Sequence, residues 1–301
     1  METVHRPAGN GHRQALVVIN RKGTRGTGTF EFGLKILEDA DIEVSANFVR
    51  DPTRIPDIIR RHGADYDMVV IGGGDGTLSH AIEAVLACDR PLGIIPMGNA
   101  NDLARTLAIP VNVRQACTII AAGKTRRIDL GWVNGKHFFN VASMGISVSI
   151  AARLSGEAKR RWGVLGYLGH AWEALQKSTR FTAEIECDGE HHTFRSIQIA
   201  VGNGVHYGGG LTIVDDARID DGCLDLYSLS PNSIWRLMTL FPVIKWGKHR
   251  MVDAIKLLRG SHIRIETDRP MRINVDGEVV SETPADFRVV PAAMTVFAPP
   301  G

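Results

Sequence analysis

The sequence lacks the features that would tie it to a membrane span, a metal cluster or a disulfide scaffold. No window holds the roughly 18 uncharged apolar residues that a transmembrane helix needs, so any meeting with a bilayer is expected at its surface. Cysteine is sparse. Cys88, Cys117, Cys187 and Cys223 lie far apart with no CxxC pair, which argues against a zinc framework or a disulfide scaffold and predicts reduced thiols in a reducing cytoplasm. Neither charge dominates: 35 Lys and Arg stand against 33 Asp and Glu, for a net charge of +2, so nucleic acid is not an expected partner. Aromatic residues make up only 6%. The eleven histidines form no HExxH spacing, and the adjacent His191 and His192 read as surface residues beside a hairpin. Repeats, low-complexity tracts and long linkers are missing too. Met1–Gln14 is polar, with Pro7, Gly9, Asn10 and Gly11 and no apolar core, so no secretory signal is expected.

What is present is an ordinary folded composition, 44% hydrophobic and 23% charged, on 301 residues, a length suited to two domains. The first half alternates short apolar runs with helical patterns. Strands are predicted over Ala15–Asn20, Glu43–Val49, Met68–Ile71 and Leu92–Ile95. Helices are predicted over Phe30–Ala40, Ile55–His62, Leu78–Ala87, Ala100–Leu107 and Val113–Ala121. Repeated β-loop-α units of this length imply a parallel sheet covered by helices. Near Ile128 the pattern changes to alternating runs joined by Asn134-Gly135, Asp188-Gly189 and Asp276-Gly277. Such dipeptides tolerate positive φ at both central positions and are strong hairpin signals. The second half therefore reads as antiparallel β, with a helical insertion over about Ile150–Lys177 and an amphipathic stretch over about Ile234–Leu258.

The most informative stretch is Gly72-Gly73-Gly74-Asp75-Gly76-Thr77-Leu78, which leads from a buried strand into a helix. Glycines let backbone approach a ligand closely, and a helix N-terminus presents free N–H groups to phosphate. Asp75 could reach a divalent metal through water, and Thr77 could donate its hydroxyl to a phosphate. The spacing fails the Rossmann fingerprint, since Thr77 stands where its last glycine belongs. Gly123-Lys124-Thr125 fails as a Walker A loop because Thr118 stands where its first glycine belongs. A tight strand-to-helix turn without ligand is the plain alternative. A second loop, Pro96-Met97-Gly98-Asn99-Ala100-Asn101-Asp102-Leu103-Ala104-Arg105, leaves the next strand at the same end of the sheet, where open α/β sheets bind ligands. Asn99 or Asn101 would suit as the cap of its helix.

Three other features remain open on local pattern alone. Asp220-Asp221-Gly222 reads as either a polar turn or an oxygen-donor loop. Asp188-Gly189-Glu190 and Asp276-Gly277-Glu278 are equivalent as hairpin tips. Two basic-aromatic stretches fit either a core helix with a solvated face or a docking surface for an anionic bilayer. The first is Ala158–Trp162 with Tyr167 and Trp172, and the second runs from Trp235 through Phe241 to Trp246 and Arg250.

Taken in order, GGGDGT, PMGNANDLAR, Phe139–Gly145, Gly202-Asn203 with Tyr207–Gly210, Ala217–Asp225 and Asn274–Glu278 resemble the diacylglycerol kinase catalytic family, which includes bacterial soluble lipid kinases and sphingosine and ceramide kinases. The match runs from about Leu16 to Ala298. The resemblance implies an α/β plus β fold: a Rossmann-like parallel-sheet nucleotide domain (residues 1–130) and an antiparallel β-rich domain (residues 131–301) whose last strand returns to the first. It implies ATP and Mg2+ as cofactors, a lipid presented by a membrane surface as substrate, and a cytoplasmic protein peripheral at the inner face of the membrane, with a homodimer left open. Gly73, Gly74, Asp75, Gly76, Thr77, Leu78, Ser79 and Asn99, with Asn20 and Arg50, would line the nucleotide. The family often has threonine where Arg50 and Asn99 stand, and Asn-Glu where Ser79-His80 stand. Asp221 with the backbone carbonyls of Arg218 and Cys223 would hold a magnesium ion of structural role. Glu278 would be the base that accepts the lipid hydroxyl proton, with Asp75 also catalytic and Asp276 in support. An NAD kinase, which shares the glycine-rich loop, and a nucleotide- or lipid-binding module without catalysis are the competing readings.

Overall fold

The computed structural model describes residues 12–21, 28–145, 180–204, 206–207, 211–212, 218–230 and 255–299. The first half folds as β1 (Arg13–Asn20), α1 (Gly28–Glu38), β2 (Ile42–Val49), α2 (Ile55–His62), β3 (Met68–Gly73), α3 (Asp75–Cys88), β4 (Leu92–Pro96), α4 (Asp102–Thr106) and α5 (Val113–Ala121). Strands β2-β1-β3-β4 lie parallel in that order. Because strand side chains alternate between faces, Leu16 and Val18 of β1 join the core on one side while Val17 and Ile19 join the core on the other. All of these are fully buried, which explains the unbroken apolar run in the sequence.

The second half supplies β5 (Thr125–Val133), β6 (Lys136–Phe138), β7 (Val141–Gly145), β8 (Phe181–Cys187), β9 (Glu190–Ser196) and β10 (Gln198–Gly202). It continues with β11 (His206–Tyr207), β12 (Leu211–Thr212), β13 (Leu224–Leu229), β14 (Ile255–Gly260), β15 (His262–Thr267), β16 (Arg272–Val275), β17 (Glu278–Glu282) and β18 (Ala285–Phe297). Strands β14-β13-β10-β7-β16-β17 form a separate antiparallel sheet. Strand β18 joins the two halves: its start pairs antiparallel with β15 and its end pairs parallel with β4 at Val296 and Leu92. The parallel sheet thus continues through β18 into β15, β8 and β9. A third core, with Phe138, Phe181, Ile199, Ile263 and Phe287, fills the space between the two sheets.

Asn134-Gly135, Asp188-Gly189 and Asp276-Gly277 all have positive φ at both positions, the geometry that two-residue hairpin turns require. Helix α3 begins at Asp75, three residues before the expected start, so Asp75, Gly76 and Thr77 form its first turn instead of a loop. Ile255–Leu258, expected as the end of an amphipathic stretch, is strand β14. The helical insertion around 150–177, both basic-aromatic stretches and Gly208–Gly210 lie outside the described residues. Among the described residues no helix is long and apolar enough to cross a membrane, and all four cysteines are free.

Candidate active site

In the parallel sheet the chain leaves β1 toward β2 on one side and returns to β3 on the other. Ligands of open α/β sheets bind at such a reversal, beyond the carboxyl ends of the strands. A cavity of about 310 Å3 opens there. Asn20 ends β1, Gly73 ends β3, and Met97 and Gly98 follow β4; all four line it, together with Gly76 and Thr77 from the first turn of α3. The two loops touch backbone to backbone, since a Cβ built on Gly74 would stand 2.8 Å from the Gly98 Cα. No side chain fits between them. Gly76 differs, because a Cβ there would meet nothing within 4 Å.

Side chains lock this geometry. Asn20 Nδ2 donates to Thr77 Oγ1 at 2.9 Å, tying the end of β1 to α3. Asn101, in the left-handed conformation with φ 51°, accepts the Gly98 N–H on Oδ1 and donates from Nδ2 to the Gly98 carbonyl, both at 2.8 Å. Asn101 occupies the cap position of α4 but makes no side-chain capping bond, so neither expected asparagine caps that helix through its side chain. Asp75 does the capping from the start of α3: its Oδ1 accepts the Leu103 N–H at 3.2 Å. Burial pushes the Asp75 carboxyl above its usual range. The Leu103 N–H opposes that shift, and the nearby Asp102 carboxylate adds to it.

The second half reaches the cavity through the β16–β17 hairpin. The Asp276 carboxylate accepts the N–H of Phe139 at 2.9 Å, of Asn140 at 3.2 Å and of Val141 at 3.1 Å. That clamp fixes the hairpin tip, and two residues on Glu278 projects from it. Glu278 is 51% exposed, and its Oε1 stands 3.1 Å from Nε2 of His80, which lines the cavity one turn into α3. A carboxylate from the antiparallel sheet is therefore held at the mouth of a glycine-walled pocket.

Burial raises Asp276 from its ordinary 3.8 to about 6, against the pull of its three N–H donors and with a further push from Asp75. The folded state holds this proton more tightly than the unfolded chain, so the stabilisation is full below about pH 4 and is lost as pH rises through about 6. A shift of this size is worth at most about 3 kcal/mol. Asp276→Asn should remove that slope, so the stability difference between wild type and variant should change between pH 4 and 6 and level off above. Urea melts of both proteins at each pH measure it; a difference constant with pH would refute the assignment.

Of the residues singled out in the sequence, Asn20, Gly73, Gly74, Gly76 and Thr77 line the cavity. Asp75 is not among its lining residues and instead links the start of α3 to α4 through the Leu103 N–H. Leu78 packs into the hydrophobic core, and Ser79, Arg50 and Asn99 are not on the wall, the last two being exposed. The wall also includes Pro52, Met97, Gly98 and His80. Position 80 carried a visible signal, as four residues beyond Gly76 lies on the same helical face. Glu278 meets the site only through tertiary structure.

The loop proposed for a resident magnesium ion is held differently. Asp129, buried on β5, accepts the Gly222 N–H and the Ala292 N–H, each at 2.7 Å, and pins the turn. Asp221 Oδ1 accepts the Cys223 N–H at 3.1 Å, and Oδ2 accepts the Arg218 N–H at 3.3 Å and pairs with the Arg259 guanidinium. Both oxygens thus face hydrogen-bond donors, and an arginine already balances the charge. Among the described residues no cluster of three His, Cys, Asp or Glu side chains could hold a metal. A cation on Asp221 would have to displace the Arg259 guanidinium.

With this geometry in place, comparison with known proteins gives a consistent picture. Residues 14–133 match the diacylglycerol kinase catalytic domain, and residues 140–298 match the YegS C-terminal NAD kinase beta sandwich-like domain. A diacylglycerol kinase of Staphylococcus carnosus (strain TM300) is 28% identical over 237 residues, 78% of each chain. Two crystal structures from Bacillus anthracis str. Sterne, one described as a "putative diacylglycerol kinase" and one as a diacylglycerol kinase, superpose with TM-scores of 0.82 and 0.78. They cover 97% of this chain and 99% of their own at 22% and 23% identity, a likeness of fold.

Proposed function

Because the chain belongs to the diacylglycerol kinase catalytic-domain family, we propose that this lipid kinase transfers the terminal phosphoryl group of ATP, taken up as its magnesium complex, to a primary hydroxyl of a lipid presented at the inner face of a membrane. The observation that carries this reading is Glu278 standing 3.1 Å from His80 at the mouth of the glycine-lined cavity. It brings a proton acceptor to a seat built for phosphates.

In the proposed reaction the triphosphate lies against the first turn of α3, where the positive end of the helix dipole favours negative charge. The glycine wall admits it without steric cost, and the Thr77 hydroxyl donates to a phosphate oxygen. The lipid hydroxyl enters from the Glu278 side. As its oxygen bonds to the terminal phosphorus, the bond to the bridging oxygen of ADP breaks and the hydroxyl proton passes to Glu278. Most of the acceleration comes from positioning and from fixed donors around developing charge.

The test is transfer of labelled phosphate from ATP with magnesium to diacylglycerol, phosphatidylglycerol, sphingosine and ceramide in mixed micelles, with NAD as a soluble acceptor. Label in one or more lipids is expected. Label in NAD alone would make the chain an NAD kinase, and label in no acceptor would leave a binding module.

His80 acts here as a positioning residue for Glu278. His80→Ala should lower kcat about tenfold with little change in KM for ATP, the loss expected when one charge-assisted hydrogen bond of about 1.5 kcal/mol is removed. His80→Gln keeps an N–H donor and should restore most of the rate. Equal rates for His80→Ala and wild type would release the histidine from this role.

A further inference from the structure

We propose that a second cavity, behind the Asp-Asp-Gly turn, binds a phosphate-bearing anion. Its volume is about 460 Å3 and it shares no lining residue with the glycine-loop cavity. Lys124 and Arg126 flank the start of β5, Arg218 and Asp220 come from the loop before β13, and Ala298 and Pro299 close the apolar side beyond β18.

The walls carry three cations and one carboxylate. Asp220 spends each oxygen on a different arginine: Oδ2 accepts Arg126 Nη2 at 2.8 Å, and Oδ1 accepts Arg218 Nε at 3.1 Å. A guanidinium has five N–H donors, and among the described residues neither arginine makes a further side-chain hydrogen bond. Lys124 is exposed, and its ammonium has no partner among the described residues. Among the described residues that line the hollow, positive charges thus exceed negative by two, in a chain whose whole net charge is +2. The Arg126 and Asp220 side chains are only about a quarter exposed (26% and 25%), so part of this excess sits away from bulk water, where attraction to an anion is screened less.

The chemistry selects the ligand class. Arginine forks match the oxygens of a phosphate in a way they do not match a small spherical anion, and lysine adds a mobile point charge. A phosphate monoester dianion balances the two spare charges. The Ala298–Pro299 side accommodates the carbon to which the phosphate is esterified. Such a group comes either from the headgroup of an anionic lipid in the bilayer or from a soluble phosphate compound.

The experiment reads binding on the full chain, and the Lys124→Glu comparison separates this cavity from the glycine-loop seat, which would also take phosphate. Inorganic phosphate is titrated calorimetrically, and vesicles of phosphatidylcholine with and without phosphatidic acid are sedimented with the protein. Wild type is compared with Lys124→Glu, which reverses one charge without removing a protein contact. Wild type should bind phosphate with a dissociation constant no weaker than about 10 mM, roughly −2.7 kcal/mol, or prefer phosphatidic acid vesicles. Lys124→Glu should weaken that binding at least tenfold, with thermal stability and ATP affinity unchanged. Binding to inorganic phosphate without vesicle preference identifies a soluble ligand, and vesicle preference alone identifies a headgroup. Wild type binding neither probe, or Lys124→Glu binding as wild type does, would overturn the proposal and leave the cluster as a solvated salt-bridge network.

Discussion

Glu278→Gln should lower kcat for lipid phosphorylation by roughly 10²- to 10⁴-fold, the usual worth of a positioned general base, while ATP affinity and melting temperature stay near wild type. The substitution keeps size and the capacity to accept from His80, and removes only the ability to take a proton. Glu278 is half exposed and lies at the start of edge strand β17, so the fold has little invested in its charge. The hairpin is held instead by Asp276, whose three N–H partners belong to residues 139–141. Steady-state kinetics, calorimetry with the magnesium–nucleotide complex and a thermal melt together decide the matter. A kcat within about threefold of wild type, roughly 0.7 kcal/mol in barrier, would remove Glu278 from the chemistry.

Two alanine substitutions two residues apart should differ in their consequence for the fold and share the same consequence for nucleotide. At Gly74 the new methyl would stand 2.8 Å from the Gly98 Cα, and the atom it meets is backbone. Relief requires the loops to part, at about 1–3 kcal/mol, the usual cost of overpacking. At Gly76 the methyl meets no protein atom within 4 Å and sits in helix α3. There the helix gains up to about 1 kcal/mol from the better helix former. Yet that open space is the cavity itself, so the methyl stands where phosphate oxygens would lie. Gly74→Ala should therefore lose both stability and ATP affinity, while Gly76→Ala should hold its melting temperature and lose ATP affinity at least tenfold, about 1.4 kcal/mol. Undiminished affinity in Gly76→Ala would mean that nucleotide does not approach the start of α3.

The departure from glycine-rich families with other spacings was readable because close backbone approach leaves a compositional trace. The capping of α4 left none. An asparagine before a helix is a sound local expectation, but Asn101 is turned to hold Gly98, and the donor at Leu103 is met by Asp75, 28 residues earlier. The Asp221 loop was equally opaque, since Arg259, which neutralises it, lies 38 residues away on an edge strand.

Local order along the chain was enough to specify the parallel strands, their helices, the glycine-rich turn and three hairpins with positive φ at both tip residues, because side-chain periodicity and φ preferences act over a few neighbouring residues. It could not separate Asp188-Gly189-Glu190 from Asp276-Gly277-Glu278. The folded chain does. Asp188 binds the Ser261 and His262 amides at the outer β8–β9 hairpin, leaving Glu190 83% exposed. Asp276 instead clamps residues 139–141, and Glu278 meets His80 across the cavity. Identical triplets acquire different work because strand pairing over more than a hundred residues, settled by how the two sheets bury their shared apolar faces, decides which hairpin tip arrives at the glycine loop.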